Sequence, residues 1–145
     1  MAKKKVIVSF DFEHDKQYYY LLKAWDSNSN FEFVIADFTP HEIQTWSIAT
    51  IKQVLSRKIH SANYMIAIIG KYSNAQHPDY KQIGYRNWQA FEIAKNYDWG
   101  NKLVVVKINK NYIAPEEAYN VGAQWVYSFK EDEIVSALNK CMNER

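Results

Sequence analysis

Five short apolar runs punctuate the chain, and between them apolar residues recur every three or four positions. Residues 6–10 read Val-Ile-Val-Ser-Phe, a β-branched run of the kind buried on both faces of a sheet. The next stretch carries Tyr18, Leu21, Leu22 and Trp25 at helical spacing and runs out in the polar cluster 26–30. A second strand is predicted over 31–36, stopped by Asp37. Thr39-Pro40-His41-Glu42 reads as a helix start, with Thr39 as N-cap, Pro40 at the first helical position and Glu42 closing a capping box. Ile48, Ile51, Leu55 and Ile59 then form one stripe, while Ile43 and Trp46 fall out of phase with it by about 80° or more. The pattern predicts a short helical turn, a break near Thr45 and a longer helix after it.

Residues 64–69 form a third apolar run, closed by Gly70. A loop rich in Tyr, Ser, Asn, His and Pro leads into residues 84–95, read as the opening turns of a helix. That helix is expected to end at Trp99-Gly100-Asn101, where Gly100 suits a C-terminus. Strands follow over 103–108 and, at an edge, over 125–127. Ser128 with Glu131 reads as a second capping box, opening a last helix with Ile134, Leu138 and Cys141/Met142 inward. Strand–helix alternation of this kind predicts an α/β chain whose parallel sheet is covered on both faces. Right-handed crossovers leave few topologies. The expectation is a flavodoxin-like three-layer sandwich with five strands in the order 2-1-3-4-5. No linker or repeat interrupts the sequence, so residues 1–145 are expected to form one domain.

Composition narrows the picture mainly by exclusion. Hydrophobic residues make up 48% of the chain and aromatic residues 16%, more than a disordered chain carries. Net charge is +2 and the one basic run, Lys3-Lys4-Lys5, reads as a solvated lead-in to the first strand, so nucleic acid is not an expected partner. The single cysteine, Cys141, provides neither a disulfide framework nor a thiolate metal site. His14, His41, His60 and His77 lack metal-ligand spacing and read as ordinary polar residues, so no metal is expected. The N-terminus shows no signal-peptide pattern and no apolar run approaches bilayer length, which predicts a cytoplasmic location and no membrane partner.

In an open sheet of order 2-1-3-4-5, ligands bind at the C-terminal ends of the strands, beside the switch between strands 1 and 3. That rule gathers Ser9, Phe10 and Asp11 after strand 1, Asp37 after strand 2, and Gly70 to Ser73, with Tyr72 among them, after strand 3. The helix that follows brings Trp88 and Glu92. At about 100° per residue Glu92 lies about 40° around the helix from Trp88, so a carboxylate is set against an apolar stripe. An ion pair with Arg86 or Lys95 would account for it, and so would a catalytic role. Rival uses of the fold lack their parts. A receiver domain needs a carboxylate at the end of strand 3, where Ile69-Gly70 stands. A dinucleotide-binding Rossmann turn needs glycines after strand 1, and residues 9–15 contain none. A chain with four glycines and no Walker lysine motif has no Gly-rich phosphate cradle.

Residues 6–11 (Val-Ile-Val-Ser-Phe-Asp), 37–40 (Asp-Phe-Thr-Pro) and 87–93 (Asn-Trp-Gln-Ala-Phe-Glu-Ile), in this order and spacing, resemble the TIR-like family. The similarity is to its compact bacterial branch, which includes the TIR proteins of Thoeris anti-phage systems, and it runs from about Lys5 to Leu138. Enzymatic members of that family carry a catalytic glutamate four residues after a tryptophan, a spacing that Trp88 and Glu92 match. The resemblance implies cleavage of the nicotinamide–ribose bond of NAD, as substrate rather than cofactor, with release, cyclisation or transfer of the ADP-ribosyl group. It implies Glu92 as the catalytic residue and Ser9, Phe10, Asp11, Asp37, Tyr72 and Trp88 as substrate-binding candidates. It also implies self-association with other TIR protomers and a separate effector activated by the nucleotide product. The segment after strand 2 departs from animal and plant TIR domains, opening a helix at Thr39-Pro40 in place of a glycine-containing loop. Two other functions fit the same residues. One is a non-catalytic TIR-like interaction module using an aromatic patch drawn from Tyr18, Tyr19, Tyr20, Trp46, Tyr112 and Tyr119. The other is a nucleoside deoxyribosyltransferase-like N-glycosidase, which also uses a glutamate.

Overall fold

The computed structural model describes residues 4–28, 31–36 and 47–143. The elements run β1 (Lys4–Ser9), α1 (Phe12–Asp26), β2 (Phe33–Ile35), α2 (Ile48–His60), β3 (Tyr64–Ile69), α3 (Tyr80–Ile83), α4 (Trp88–Asp98), β4 (Lys102–Lys107), β5 (Gln124–Val126) and α5 (Glu131–Asn143). All five strands pair in parallel in the order β2-β1-β3-β4-β5. The flavodoxin-like order expected from strand–helix alternation is therefore the order observed.

Pleating divides β1, β3 and β4 between two cores. Val6, Val8, Ile66, Ile68, Val104 and Val106 face α1 and α5, where they meet Tyr19, Leu22, Ile134 and Leu138. Ile7, Met65, Ala67, Ile69, Leu103 and Val105 face the other way, onto Ile59 of α2 and Ile93 of α4. A third cluster, Ile51, Leu55, Ile83 and Phe91, fills the seam among α2, α3 and α4. Tyr64 to Ile69 are all buried, as a central strand covered on both faces requires.

Several local expectations change. α1 turns Asp15, Tyr19 and Leu22 inward and leaves Leu21 exposed, because Asp11 caps the helix and starts it at Phe12. Residues 84–87 are not helical. Gly84, at φ +85°, ends α3, and its N–H donates to the Tyr80 carbonyl. Asn87 then restarts the chain as N-cap, its Oδ1 accepting from the Ala90 N–H at 2.9 Å. Ser128 does not pair with Glu131, which already opens α5; its hydroxyl donates to Glu133 at 2.6 Å. The fifth strand lies one residue earlier than predicted and, as expected, at an edge. Ser47 caps α2, which starts at Ile48, and the predicted turn and break near Thr45 lie outside the described residues. The capping box at Thr39 lies outside the described residues.

Candidate active site

Because the chain leaves β1 toward β2 on one side and reaches β3 on the other, a crevice opens above the ends of β1 and β3. The first turn of α4 is seated on it by two amides, the buried Gln89 and the half-buried Asn87. Gln89 Nε2 donates to the Ser9 carbonyl at 3.2 Å and to the Ile68 carbonyl at 2.6 Å. Asn87 Nδ2 donates to the carbonyls of Ser73 and Ala75, both at 2.8 Å. Ser73 Oγ in turn accepts from the Gly70 N–H at 2.9 Å and donates to the Ile68 carbonyl at 3.3 Å. Polar side chains at a strand end cost little when every donor finds a carbonyl.

Glu92 stands one turn further along α4. The hydroxyl of Ser9, itself fully buried, donates to Glu92 Oε1 at 2.9 Å. Surrounding apolar mass pushes the Glu92 carboxyl up to about 8, against the opposing pull of the Ser9 hydrogen bond and the Lys58 charge. The two cations nearest in sequence are engaged elsewhere. Arg86 donates to the Asn74 carbonyl, and Lys95 pairs with Asp98 at 3.9 Å while lying over the Phe91 ring. Glu92 keeps some contact with solvent through a cleft of about 1040 Å³.

The cleft brings most of the sequence-predicted residues together. Phe10, Asp11, Tyr72, Trp88 and Glu92 all line it. Phe10 stacks on Tyr19 with centroids 5.1 Å apart, and Trp88 meets Phe91 edge to face at 5.6 Å. Ser9 lies beneath, touching Glu92, and Asp37 lies outside the described residues. Asp11 caps α1 and accepts from His14 Nδ1 at 2.6 Å, and the His14 ring packs on Tyr72 at 4.2 Å. That hydrogen bond is the main reason the exposed His14 is held above its ordinary pKa.

Sequence reading missed Gln89, Lys58 and His14 at this site. Gln89 carried a signal: it lies three residues before Glu92 on the inward side of an amphipathic helix, where a polar residue needs a partner. His14 sits three residues after Asp11 on α1, the spacing of neighbours on one helical face. Nothing in the sequence connects Lys58 to Glu92. Among the described residues, no group of three or more His, Cys, Asp or Glu side chains could hold a metal ion. No described helix is long and apolar enough to cross a membrane.

A family model described as Thoeris protein ThsB, TIR-like domain, matches residues 7–112. The chain belongs to the ThsB TIR-like family. The matched span runs from β1 through Glu92 and beyond the end of β4, so it contains the whole crevice. Solved structures give the same fold at low identity. A CMP N-glycosidase from Clostridium botulinum, BcmB, aligns with a TM-score of 0.58 and 15% identity over 94% of this chain and 98% of its own. A 2-deoxyribosyltransferase from Leishmania mexicana aligns with a TM-score of 0.54 and 12% identity over 98% and 99% of the two chains. One from the psychrotolerant Bacillus psychrosaccharolyticus gives 0.50 and 14% over 97% and 92%. No curated protein matches the chain.

Proposed function

We infer that this ThsB-family TIR domain consumes NAD, breaking the nicotinamide–ribose bond to make an ADP-ribose-derived signal nucleotide, cyclic or conjugated, in anti-phage defence. The observation that carries the reading is the Glu92 carboxyl, held by Ser9 at the base of a cleft walled by Phe10, Tyr72 and Trp88. Cleaving an N-glycosidic bond builds positive charge on the ribose, and a carboxylate in poorly solvated surroundings stabilises that charge more than it would in water. The electron pair of the broken bond leaves with nicotinamide, whose ring nitrogen is already cationic, so the step needs no general acid. The aromatic walls suit a cationic ring. Glu92 must act ionised, and the approach of a positive substrate favours that form. Asp11 is assigned to ribose or phosphate contacts and Asp37 to substrate binding, and the nucleotide product to a separate effector. The protein is assigned to the cytoplasm, as a single domain that self-associates and uses no cofactor, metal, nucleic acid or membrane.

The test is nicotinamide release from NAD, by the purified protein and in lysates of phage-challenged cells, for wild type and Glu92→Gln. Loss of release in the variant supports the reading, and full release removes Glu92 from the chemistry. A second reading, an N-glycosidase acting on nucleotides or deoxynucleosides, is supported by the same carboxylate and by the likeness to BcmB and the deoxyribosyltransferases. Assays with CMP and deoxynucleosides beside NAD separate the two. The interaction-module reading loses part of its basis, because Tyr19 is buried and Tyr18 and Tyr112 pack against the core, leaving Tyr20 and Tyr119 as separate exposed rings. Trp46 lies outside the described residues.

A further inference from the structure

The geometry points to Gln89 as a positioning residue for Glu92, acting through Ser9 and never touching the substrate itself. This rests on the reading of Glu92 as the catalytic group. Ser9 is gripped by α4 at both ends: its carbonyl accepts from Gln89 Nε2 at 3.2 Å, and its hydroxyl donates to Glu92 at 2.9 Å. The two contacts join residues 80 and 83 positions apart in sequence, and both come from one helix three residues apart. The same amide bonds Ile68 at 2.6 Å, so one side chain ties the ends of both strands at the switch point to the helix that carries Glu92. Gln89 is 6% exposed and Ser9 fully buried, so neither bond has water to replace it. A donor held at its backbone presents its hydroxyl at one place, and the distance from α4 to the strand ends then sets how much water reaches Glu92.

The groups facing Glu92 are the Ser9 hydroxyl from β1 and the Lys58 charge from α2, and both oppose the effect of burial. Removing each link has its own sign. Ser9→Ala takes away a donor that favours the ionised carboxylate and raises the Glu92 titration midpoint. Gln89→Met keeps the volume but frees the helix from the strand ends, admits water and lowers the midpoint by about one unit toward the ordinary glutamate value. Asn96 serves as the structural control. It is as buried as Gln89 on the same helix, but it bonds the carbonyls of Asn101 and Lys102 at the far end, away from the cleft. Asn96→Met therefore destabilises the protein and leaves Glu92 unmoved.

The experiment is carbon-detected NMR titration of glutamate carboxyls in the unliganded full-length protein, with Glu92 assigned from its absence in Glu92→Gln. Opposite shifts in Ser9→Ala and Gln89→Met, with none in Asn96→Met, are expected. A folded Gln89→Met whose Glu92 titrates as in wild type overturns the proposal, as does an equal shift in Asn96→Met. If Gln89→Met does not fold, the neutral Gln89→Asn decides, since its shorter amide cannot reach both carbonyls: a lowered midpoint supports the proposal and an unchanged one overturns it. With NAD as substrate, Gln89→Met is expected to lose about tenfold to a hundredfold in kcat with KM little changed. A wild type that releases no nicotinamide even in lysates of phage-challenged cells would remove the NAD reading, while the titration, made without substrate, still judges the positioning.

Discussion

Glu92 and Asp15 are two carboxylates raised by the same cause and placed to opposite effect. Both approach the strand ends at the switch point, Glu92 from α4 on one face of the sheet and Asp15 from α1 on the other. Burial lifts Glu92 to about 8 and Asp15 to about 6, the latter helped by the Asp11 charge and opposed by His14. Glu92 receives a hydroxyl donor and opens on the cleft. Asp15 packs over Gly70, its Oδ2 has no hydrogen-bond partner, and it does not line the cleft. A displaced pKa therefore records burial in both, and on the NAD reading the donor and the open space beside Glu92 are what set it apart from Asp15.

The largest effect that can break this contrast is on turnover. On the NAD reading, Glu92→Gln lowers nicotinamide release by about 10²–10⁴-fold, whereas Asp15→Asn changes it by less than about threefold. In wild type, kcat/KM rises with pH to a plateau above an apparent pKa near 8, because the carboxylate acts ionised. A rate that falls through that range would make Glu92 a proton donor instead.

The second effect is on stability, and its sign follows from proton binding. The folded protein holds the Glu92 proton up to about 8, while the unfolded chain releases it near the ordinary value of 4.5. Stability from this group is thus fully present below about 4.5 and is lost as pH rises to about 8. Glu92→Gln removes that slope and is more stable than wild type above pH 8 by about 2–5 kcal/mol, read from urea unfolding across pH. A variant that is inactive yet more stable is what a functional carboxylate in a costly place predicts.

The strands, their order and the placing of Trp88 and Glu92 on one cleft were legible because each rests on local periodicity or on spacing along one helix. What holds Glu92 in place was not. Ser9 reaches across 83 positions to Glu92 and Gln89 across 80 to Ser9, and no pattern within a window of sequence contains such a contact. Residues 84–87 were misread as helix because Tyr85 and Trp88 continue the apolar spacing. The positive φ of Gly84 and the capping by Asn87 override it. Gly70 was read as a strand terminator, when its more specific duty is to leave room for Asp15.

That duty gives the third effect. A Cβ at position 70 would overlap the Asp15 carboxylate, so Gly70→Ala is expected to cost about 1–3 kcal/mol in urea unfolding at pH 7. Asp15→Ala empties the space, and the double variant should recover most of that loss as a favourable coupling energy. Additive losses would mean that the alanine is resisted by the backbone and that Asp15 is not the constraint.

The smallest effect isolates the charge of Asp15 from its shape. Its folded pKa of about 6 lies above the ordinary 3.8, so stability present below about 3.8 is lost as pH rises to about 6 and is absent at pH 7. Asp15→Asn keeps the outline and removes the charge. One amide atom occupies the place of the unpartnered Oδ2, so the cost of an unsatisfied buried polar atom is carried by both forms and largely cancels. Left over is the burial of the charge, and the variant should gain about 1 kcal/mol at pH 7 and nothing at pH 3.5. A loss at pH 7 would show that the Asp15 charge is put to use, with the neighbouring His14 as the group it serves, and the contrast with Glu92 would narrow to one between two working carboxylates.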